Sequence, residues 1–129
     1  MRLLILFVFS LLSISTAFAA TYCPATITCN YNTGVCDKPD GWVVDDSQAR
    51  ELFTGSQTMK LSKIWAYKQG SSSNEVYQFE CTYYYGNDGS AISLYKYVKQ
   101  LSGTAWAFSG FGKQHAECSI ADPSACTGE

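Results

Sequence analysis

The sequence has little of what metal sites and catalytic centres use. It contains one histidine, His115, and its six cysteines form no Cys-x-x-Cys pair. Structural zinc sites usually draw on such pairs and on closely spaced histidines, so a zinc site is not expected. The Gly-x-Ser-x-Gly turn that presents the nucleophile of many hydrolases is also absent. We therefore expect neither a metal nor another cofactor.

Clustered positive charge is missing as well. Once Arg2 is set aside, eight basic residues face eleven acidic ones, for a net charge near −3, and the lysines are scattered along the chain. Proteins that bind a phosphate backbone concentrate Lys and Arg in patches. Binding to nucleic acid or to an anionic membrane surface is therefore not expected.

Long apolar runs are confined to the start of the chain. The run from Leu3 to Leu12 follows a basic start, and Ala17–Ala19 has the small-x-small pattern of a cleavage site. The run is too short to cross ~30 Å of hydrocarbon as a helix, and no later segment is apolar enough to do so. We predict a signal peptide over residues 1–19 and one secreted or periplasmic domain over residues 20–129.

All six cysteines follow this leader, and an even number in a small exported domain predicts three disulfides. Six cysteines allow many pairings. Bridges from Cys29 to Cys36 and from Cys118 to Cys126 are sterically plausible because each spans a turn, but spacing alone demonstrates neither. The cysteines are Cys23, Cys29, Cys36, Cys81, Cys118 and Cys126.

The pattern after the leader is typical of a mainly β domain. The segment most typical of a strand is Glu75 to Tyr85, which the Gly86–Gly89 turn joins to Ala91–Val98 in a hairpin. Five or six short strands with glycine-rich turns predict a small twisted antiparallel sheet, barrel-like or sandwich-like. The other predicted strands are Ala25–Tyr31, Lys60–Gln69, Thr104–Ser109 and Gln114–Cys118.

One short helix is predicted between Asp45 and Gly55. Asp45 and Gln48 have the spacing of a capping box, and acidic residues favour the first turn of a helix. Gly55 is a suitable terminator. The same capping role explains the Asp45–Asp46 pair better than glycoside hydrolysis by two carboxylates does.

Strand alternation gives the predicted hairpin two faces, because odd positions on one strand pair with even positions on the other. The wetter face carries Tyr84, Tyr95 and Tyr97 beside polar residues. Exposed tyrosines suit contact with a protein or a glycan, since each offers a flat apolar ring and a polar tip. The alternative is that a helix or loop covers them. The core face contains Tyr77, Phe79, Cys81, Tyr83, Ile92, Leu94 and Val98.

His115 is the one candidate for acid–base catalysis. A functional interpretation makes it a general base oriented by Glu117 or Glu80. The alternative is a packed strand histidine beside Cys118, which is itself expected to be half of a disulfide. We favour the packed residue, and the sequence therefore predicts no catalytic residue and no enzyme.

Several cysteines and glycines have a spacing that resembles a known family. They are Cys23-Pro24, Cys29, Gly34-x-Cys36, Gly41-Trp42, Cys81-x-Tyr83 and Cys118. In this spacing the chain resembles a family of small secreted gamma-proteobacterial cysteine-containing proteins catalogued as a domain of unknown function. The resemblance implies a bacterial exported protein and brings no catalytic residue. Through its Tyr77-x-Phe79-x-Cys81 strand, the chain is also loosely similar to periplasmic lysozyme inhibitors, which are small disulfide-bearing β-barrels.

These observations favour an exported, non-catalytic interaction domain with a protein or glycan partner. One alternative is a periplasmic or secreted inhibitor of a hydrolase such as lysozyme. A second is a small secreted hydrolase that uses His115.

Overall fold

The computed structural model describes residues 19–45, 55–71, 73–85 and 90–129 and is mainly β. Within these ranges, eight strands form one antiparallel, nearly closed, barrel-like sheet, and two further short strands form a separate small sheet. The strands of the large sheet are β1 (Thr26–Asn30), β2 (Val35–Cys36), β3 (Val43–Asp45), β4 (Ser56–Gln69), β5 (Val76–Tyr84), β6 (Ala91–Val98), β8 (Trp106–Ser109) and β9 (His115–Cys118). Those of the small sheet are β7 (Leu101–Ser102) and β10 (Thr127–Gly128).

The sheet runs in the order β2-β1-β4-β5-β6-β3, and β9 pairs with both β4 and β8. Strand β4 is the central strand of the sheet, because its first part pairs with β1 and its second part lies between β5 and β9. A bulge between Leu61 and Lys63 interrupts the alternation of β4. Met59 is buried before the bulge, whereas Ile64 and Ala66 are buried after it. The inward side of β4 therefore changes from odd to even positions.

The predicted hairpin is confirmed as β5 and β6, with Tyr84 opposite Ala91 and Tyr77 opposite Val98. The predicted core face is also confirmed, since Phe79, Tyr83 and Leu94 are fully buried. The Gly86–Gly89 turn lies outside the described residues.

Two other predictions lie wholly or mainly outside the described residues. The leader over residues 1–19 is one of them, since the description begins at Ala19. The predicted helix is the other, because Asp45 ends β3 and residues 46–54 are not described. In the described part of the chain, the one helical segment is a 3₁₀ turn at Phe111–Lys113, which the sequence did not indicate.

All six cysteines are paired, which confirms the predicted three disulfides. Two are the local bridges that spacing made plausible, Cys29–Cys36 and Cys118–Cys126. The third, Cys23–Cys81, ties the segment before β1 to the buried side of β5. Three disulfides are typical of a protein from an oxidising compartment.

Aromatic side chains fill the interior beside these bridges. The Phe79 ring lies 5.8 Å from the ring of Trp42 and 5.9 Å from that of Trp106. The buried Tyr83 hydroxyl donates a hydrogen bond of 2.7 Å to the carbonyl of Pro24. Burial raises the pKa of Tyr83 far above its usual value. Tyr83 therefore anchors the chain before β1 as a neutral donor, next to the Cys23–Cys81 bridge.

Replacing Tyr83 with phenylalanine should lower the free energy of unfolding by about 1 kcal/mol, because the Pro24 carbonyl loses its donor. Urea unfolding measures the difference. Tyr97→Phe is the control, since the Tyr97 hydroxyl bonds to Gln78 at an exposed site, and it should leave stability unchanged. Equal stability of the two variants would contradict the anchoring role of Tyr83.

Candidate binding face

The outward side of β4, β5 and β6 carries two cross-strand rows, each with a polar residue between two aromatic ones. In one row Glu80 lies between Trp65 and Tyr95, and in the other Gln78 lies between Tyr67 and Tyr97. Directly opposed side chains on paired strands have Cβ atoms ~5 Å apart, so the members of each row are neighbours. Strand β9 adds His115 opposite Tyr67. We call this set the aromatic face: Trp65, Tyr67, Gln78, Glu80, Tyr95, Tyr97 and His115.

Ring contacts connect the aromatic residues along each strand. On β4 the rings of Trp65 and Tyr67 are stacked with centroids 5.4 Å apart, and the His115 ring lies 5.7 Å from Trp65. On β6 the rings of Tyr95 and Tyr97 meet edge to face at 6.1 Å. Two ring pairs thus flank β5, one on each side.

Hydrogen bonds hold this arrangement in place. The Trp65 indole Nε1 donates to the Thr82 hydroxyl at 3.1 Å. The Gln78 Oε1 accepts from the Tyr97 hydroxyl at 3.3 Å and from Gln69 Nε2 at 3.0 Å. Because these groups are already paired, the rings are positioned before any ligand arrives, which lowers the entropic cost of binding.

Glu80 is a half-buried carboxylate at the centre of the face. Burial raises its pKa; hydrogen bonds with Ser93 and Gln78 oppose the rise, and the charge of Asp45 adds to it. No lysine or arginine among the described residues forms an ion pair with Glu80. Lys63, which lies on the same side of β4 as Trp65, pairs instead with Glu117 at 3.2 Å. Within the described residues, the centre of the aromatic face therefore carries a carboxyl group with no basic partner.

Tyr67 lies in the same electrostatic environment. Burial is the main cause that raises the pKa of its hydroxyl, a hydrogen bond with Gln69 lowers it, and the charge of Glu80 raises it further. The tyrosines Tyr95 and Tyr97 also act on it. The Tyr67 hydroxyl is therefore subject to the charge of Glu80.

The three tyrosines predicted for binding are not equally placed. Tyr95 and Tyr97 belong to the aromatic face, and Tyr97 is 52 % exposed. Tyr84 points to the same side and is 47 % exposed, but it lies four residues beyond Glu80 on β5. That separation is about 13 Å along a strand. Tyr84 therefore lies outside the cluster of rings.

Sequence reasoning missed Trp65, Tyr67 and the position of His115. Trp65 and Tyr67 alternate with the apolar Ile64 and Ala66, which is the signal that would have placed them outward. His115 contacts Trp65, with ring centroids 5.7 Å apart. Neither Glu117 nor Glu80 forms a hydrogen bond or ion pair with it in the described residues. Among the residues that the structure describes, no carboxylate orients His115 as a general base would require.

The β8–β9 hairpin presents a second exposed apolar feature, which the sequence did not indicate. Phe111 is 94 % exposed at its tip, and Phe108 on β8 is 43 % exposed. Lys113 is the one described non-glycine residue with a positive φ, 55°, and its ammonium lies 5.8 Å from the Phe108 ring centroid. A left-handed backbone conformation is costly for a lysine, so the tip of the hairpin has a defined conformation that its surroundings maintain.

Three comparisons bear on the identity of the chain. It matches no protein-family model, no curated protein and no solved structure. The resemblance to secreted gamma-proteobacterial proteins therefore stays a prediction and contributes no residue to the site. Among the described residues, no helix has the length and apolar character needed to span a bilayer, and no group of His, Cys, Asp and Glu is suited to hold a metal.

Replacing Glu80 with glutamine should raise the free energy of unfolding at pH 7. The pKa of Glu80 is higher in the folded protein than in the unfolded chain. At a pH between these two pKa values, the folded protein therefore binds more protons than the unfolded chain. Stability therefore falls as pH rises through this window, because the ionised carboxylate is then partly desolvated. Urea unfolding from pH 4 to pH 8 should show the gain at neutral pH and its disappearance at the acid end.

Glu75→Gln is the matched control for this prediction, because it removes one negative charge from an exposed residue, which pairs with Lys68 at 3.0 Å. It should leave the slope of stability against pH between 4 and 8 close to that of the wild type. The same slope for wild type and Glu80→Gln would contradict the assignment.

Proposed function

We propose that this chain is an exported, non-catalytic interaction domain that binds its partner through the aromatic face. The observation that carries the proposal is the arrangement of Trp65, Tyr67, Tyr95 and Tyr97 in two ring pairs on the outward side of the sheet. Tyrosine and tryptophan are enriched in protein interfaces and among the residues that contribute most to binding. Their polar tips keep such a face hydrated until the partner arrives.

Three further features support an exported binding role. The predicted signal peptide and the three disulfides are consistent with a secreted or periplasmic location. Pairing of all six cysteines leaves no thiol as a nucleophile. In the described part of the chain, His115 contacts the Trp65 ring and forms no ion pair or hydrogen bond with a carboxylate, which favours binding over catalysis.

The test is a binding comparison of two tyrosine variants. The protein is expressed with its own leader, purified, immobilised and exposed to proteins of its native compartment and to soluble glycans. Tyr97→Ser should lose bound material that the wild type retains, because it removes a half-exposed ring from the face. Tyr22→Ser, which removes a 60 % exposed ring elsewhere, should retain it. Identical binding by wild type, Tyr97→Ser and Tyr22→Ser would refute the proposal.

The hairpin tip favours a second candidate function, inhibition of a hydrolase such as lysozyme. An exposed aromatic residue on a defined loop is suited to fill a pocket of another protein, and such anchors dominate binding energy. Phe111 meets this description. Inhibition of lysozyme at micromolar protein, lost in Phe111→Ala and kept in Tyr97→Ser, would support the candidate, and no inhibition by the wild type would exclude it.

A further inference from the structure

The charge of the aromatic face restricts what it can bind. The Glu80 carboxylate is half-buried, and the basic groups nearby are Lys63, which already pairs with Glu117, and the packed ring of His115. Asp45 adds negative potential from β3. An anionic ligand would be repelled by this centre, and a neutral one would desolvate Glu80 further without compensating its charge. A cationic group fits both requirements.

The rings around Glu80 favour the same kind of ligand. Aromatic faces attract cations within about 6 Å of the ring centroid, and tryptophan does so most strongly. Trp65 and Tyr95 are the direct cross-strand neighbours of Glu80, one on each side. A cation above Glu80 would therefore meet a carboxylate and two rings at once. It would also be shielded from water by Tyr67 and Tyr97, which strengthens each attraction.

The dimensions of the face indicate a large ligand. From His115 on β9 to Tyr97 on β6 it crosses four adjacent strands, or about 14 Å at the usual spacing. A single small ammonium ion would cover only its centre. Tyr84 extends the exposed aromatic surface beyond it along β5. A protein surface matches this extent, with one basic side chain at the centre.

We propose that the aromatic face binds a protein partner through a lysine or arginine side chain whose charged group lies over Glu80, between Trp65 and Tyr95. The proposal rests on the proposed function and adds the chemical class of the partner. Arginine suits the site best, because its planar guanidinium stacks on aromatic rings and pairs with a carboxylate in a bidentate manner. The surrounding tyrosines would then contact the residues next to this basic side chain.

Titration with short peptides of defined charge tests the proposal. The probes are acetylated and amidated hexa-arginine, hexa-lysine and hexa-glutamate, added to the full-length exported protein. The Trp65 indole N–H gives a local NMR signal, because it is held by Thr82 inside the face. Both basic peptides should shift this signal with saturation, the arginine peptide more tightly, and the glutamate peptide should not shift it.

The matched variants are Glu80→Gln and Glu75→Gln, which remove the same charge inside and outside the face. Loss of the ionised partner should weaken binding of hexa-arginine by roughly tenfold in Glu80→Gln, whereas Glu75→Gln should bind as the wild type does. Equal weakening in both variants would mean attraction to net charge alone and would overturn the proposal.

Two further outcomes also overturn it. Tetramethylammonium is titrated in parallel as a small cation, and saturable binding of this ion with no response to either basic peptide would exclude a protein side chain. If Tyr97→Ser loses a partner that Glu80→Gln still binds at full strength, the proposed function stands and the cationic class is wrong. If Tyr97→Ser loses nothing, the proposed function itself fails.

Discussion

Removing the Cys23–Cys81 disulfide should lower the free energy of unfolding by about 4 kcal/mol, a large share of the ~5–15 kcal/mol typical of a domain. The bridge joins residues separated by 58 positions, so it strongly restricts the unfolded chain. Both cysteines are fully buried, and alanines at these positions also leave a void next to β5. The measurement is urea unfolding of Cys23→Ala/Cys81→Ala.

The Cys29–Cys36 bridge provides the control, since its separation is only 7 positions. The same entropic relation gives a loss of about 2 kcal/mol for Cys29→Ala/Cys36→Ala. The longer bridge should therefore cost about twice as much to remove. Similar losses in the two double variants would show that loop length does not determine what these disulfides contribute.

The features predicted correctly from the sequence are those set by residues close together in the chain. The β5–β6 hairpin is one example, because alternating apolar residues and a four-residue turn determine which side chains share a face. Phe79 and Leu94 were placed in the core on this basis, and both are buried. The two local disulfides could also be anticipated from the sequence, because their cysteines are separated by only 7 and 8 positions.

The features that were not predicted depend on distant partners. The Cys23–Cys81 pairing follows from how the segment before β1 lies over the sheet, and the spacing of the cysteines in the sequence does not indicate it. Strands β7 and β10 have two residues each and exist through their mutual pairing. No local pattern of that length distinguishes a strand from a turn.

The candidate site contains residues placed by their neighbours in sequence and residues placed by distant strands. Tyr95 and Tyr97 lie on the predicted hairpin, so their outward direction followed from its parity. Trp65 and Tyr67 lie beyond the bulge in β4, where the inward side of the strand changes. Such a bulge depends on how β4 is shared between β1 and β5, which are far from one another in sequence. Tyr95 and Tyr97 were therefore predictable from the hairpin, whereas Trp65 and Tyr67 had only their alternation with Ile64 and Ala66 as a signal.

Replacing Phe79 with alanine should lower the free energy of unfolding by about 4 kcal/mol, as expected for removing a fully buried aromatic ring. The ring lies between Trp42 and Trp106 and is completely inaccessible to solvent. Its removal takes contacts from both tryptophans at once. Phe79→Leu, which keeps much of the volume, should lose only about 1–1.5 kcal/mol.

Phe111→Ala is the matched control for Phe79→Ala, because Phe111 is 94 % exposed and should contribute less than about 0.5 kcal/mol.

Phe79 also affects the aromatic face, since Gln78 and Glu80 flank it on β5 and point to the opposite side. A well-packed Phe79 therefore holds the central strand of the aromatic face in position. We expect Phe79→Leu, while still folded, to shift the Trp65 indole N–H signal, whereas Phe111→Ala leaves it in place. A Phe79→Ala protein as stable as Phe111→Ala would contradict this account of the core.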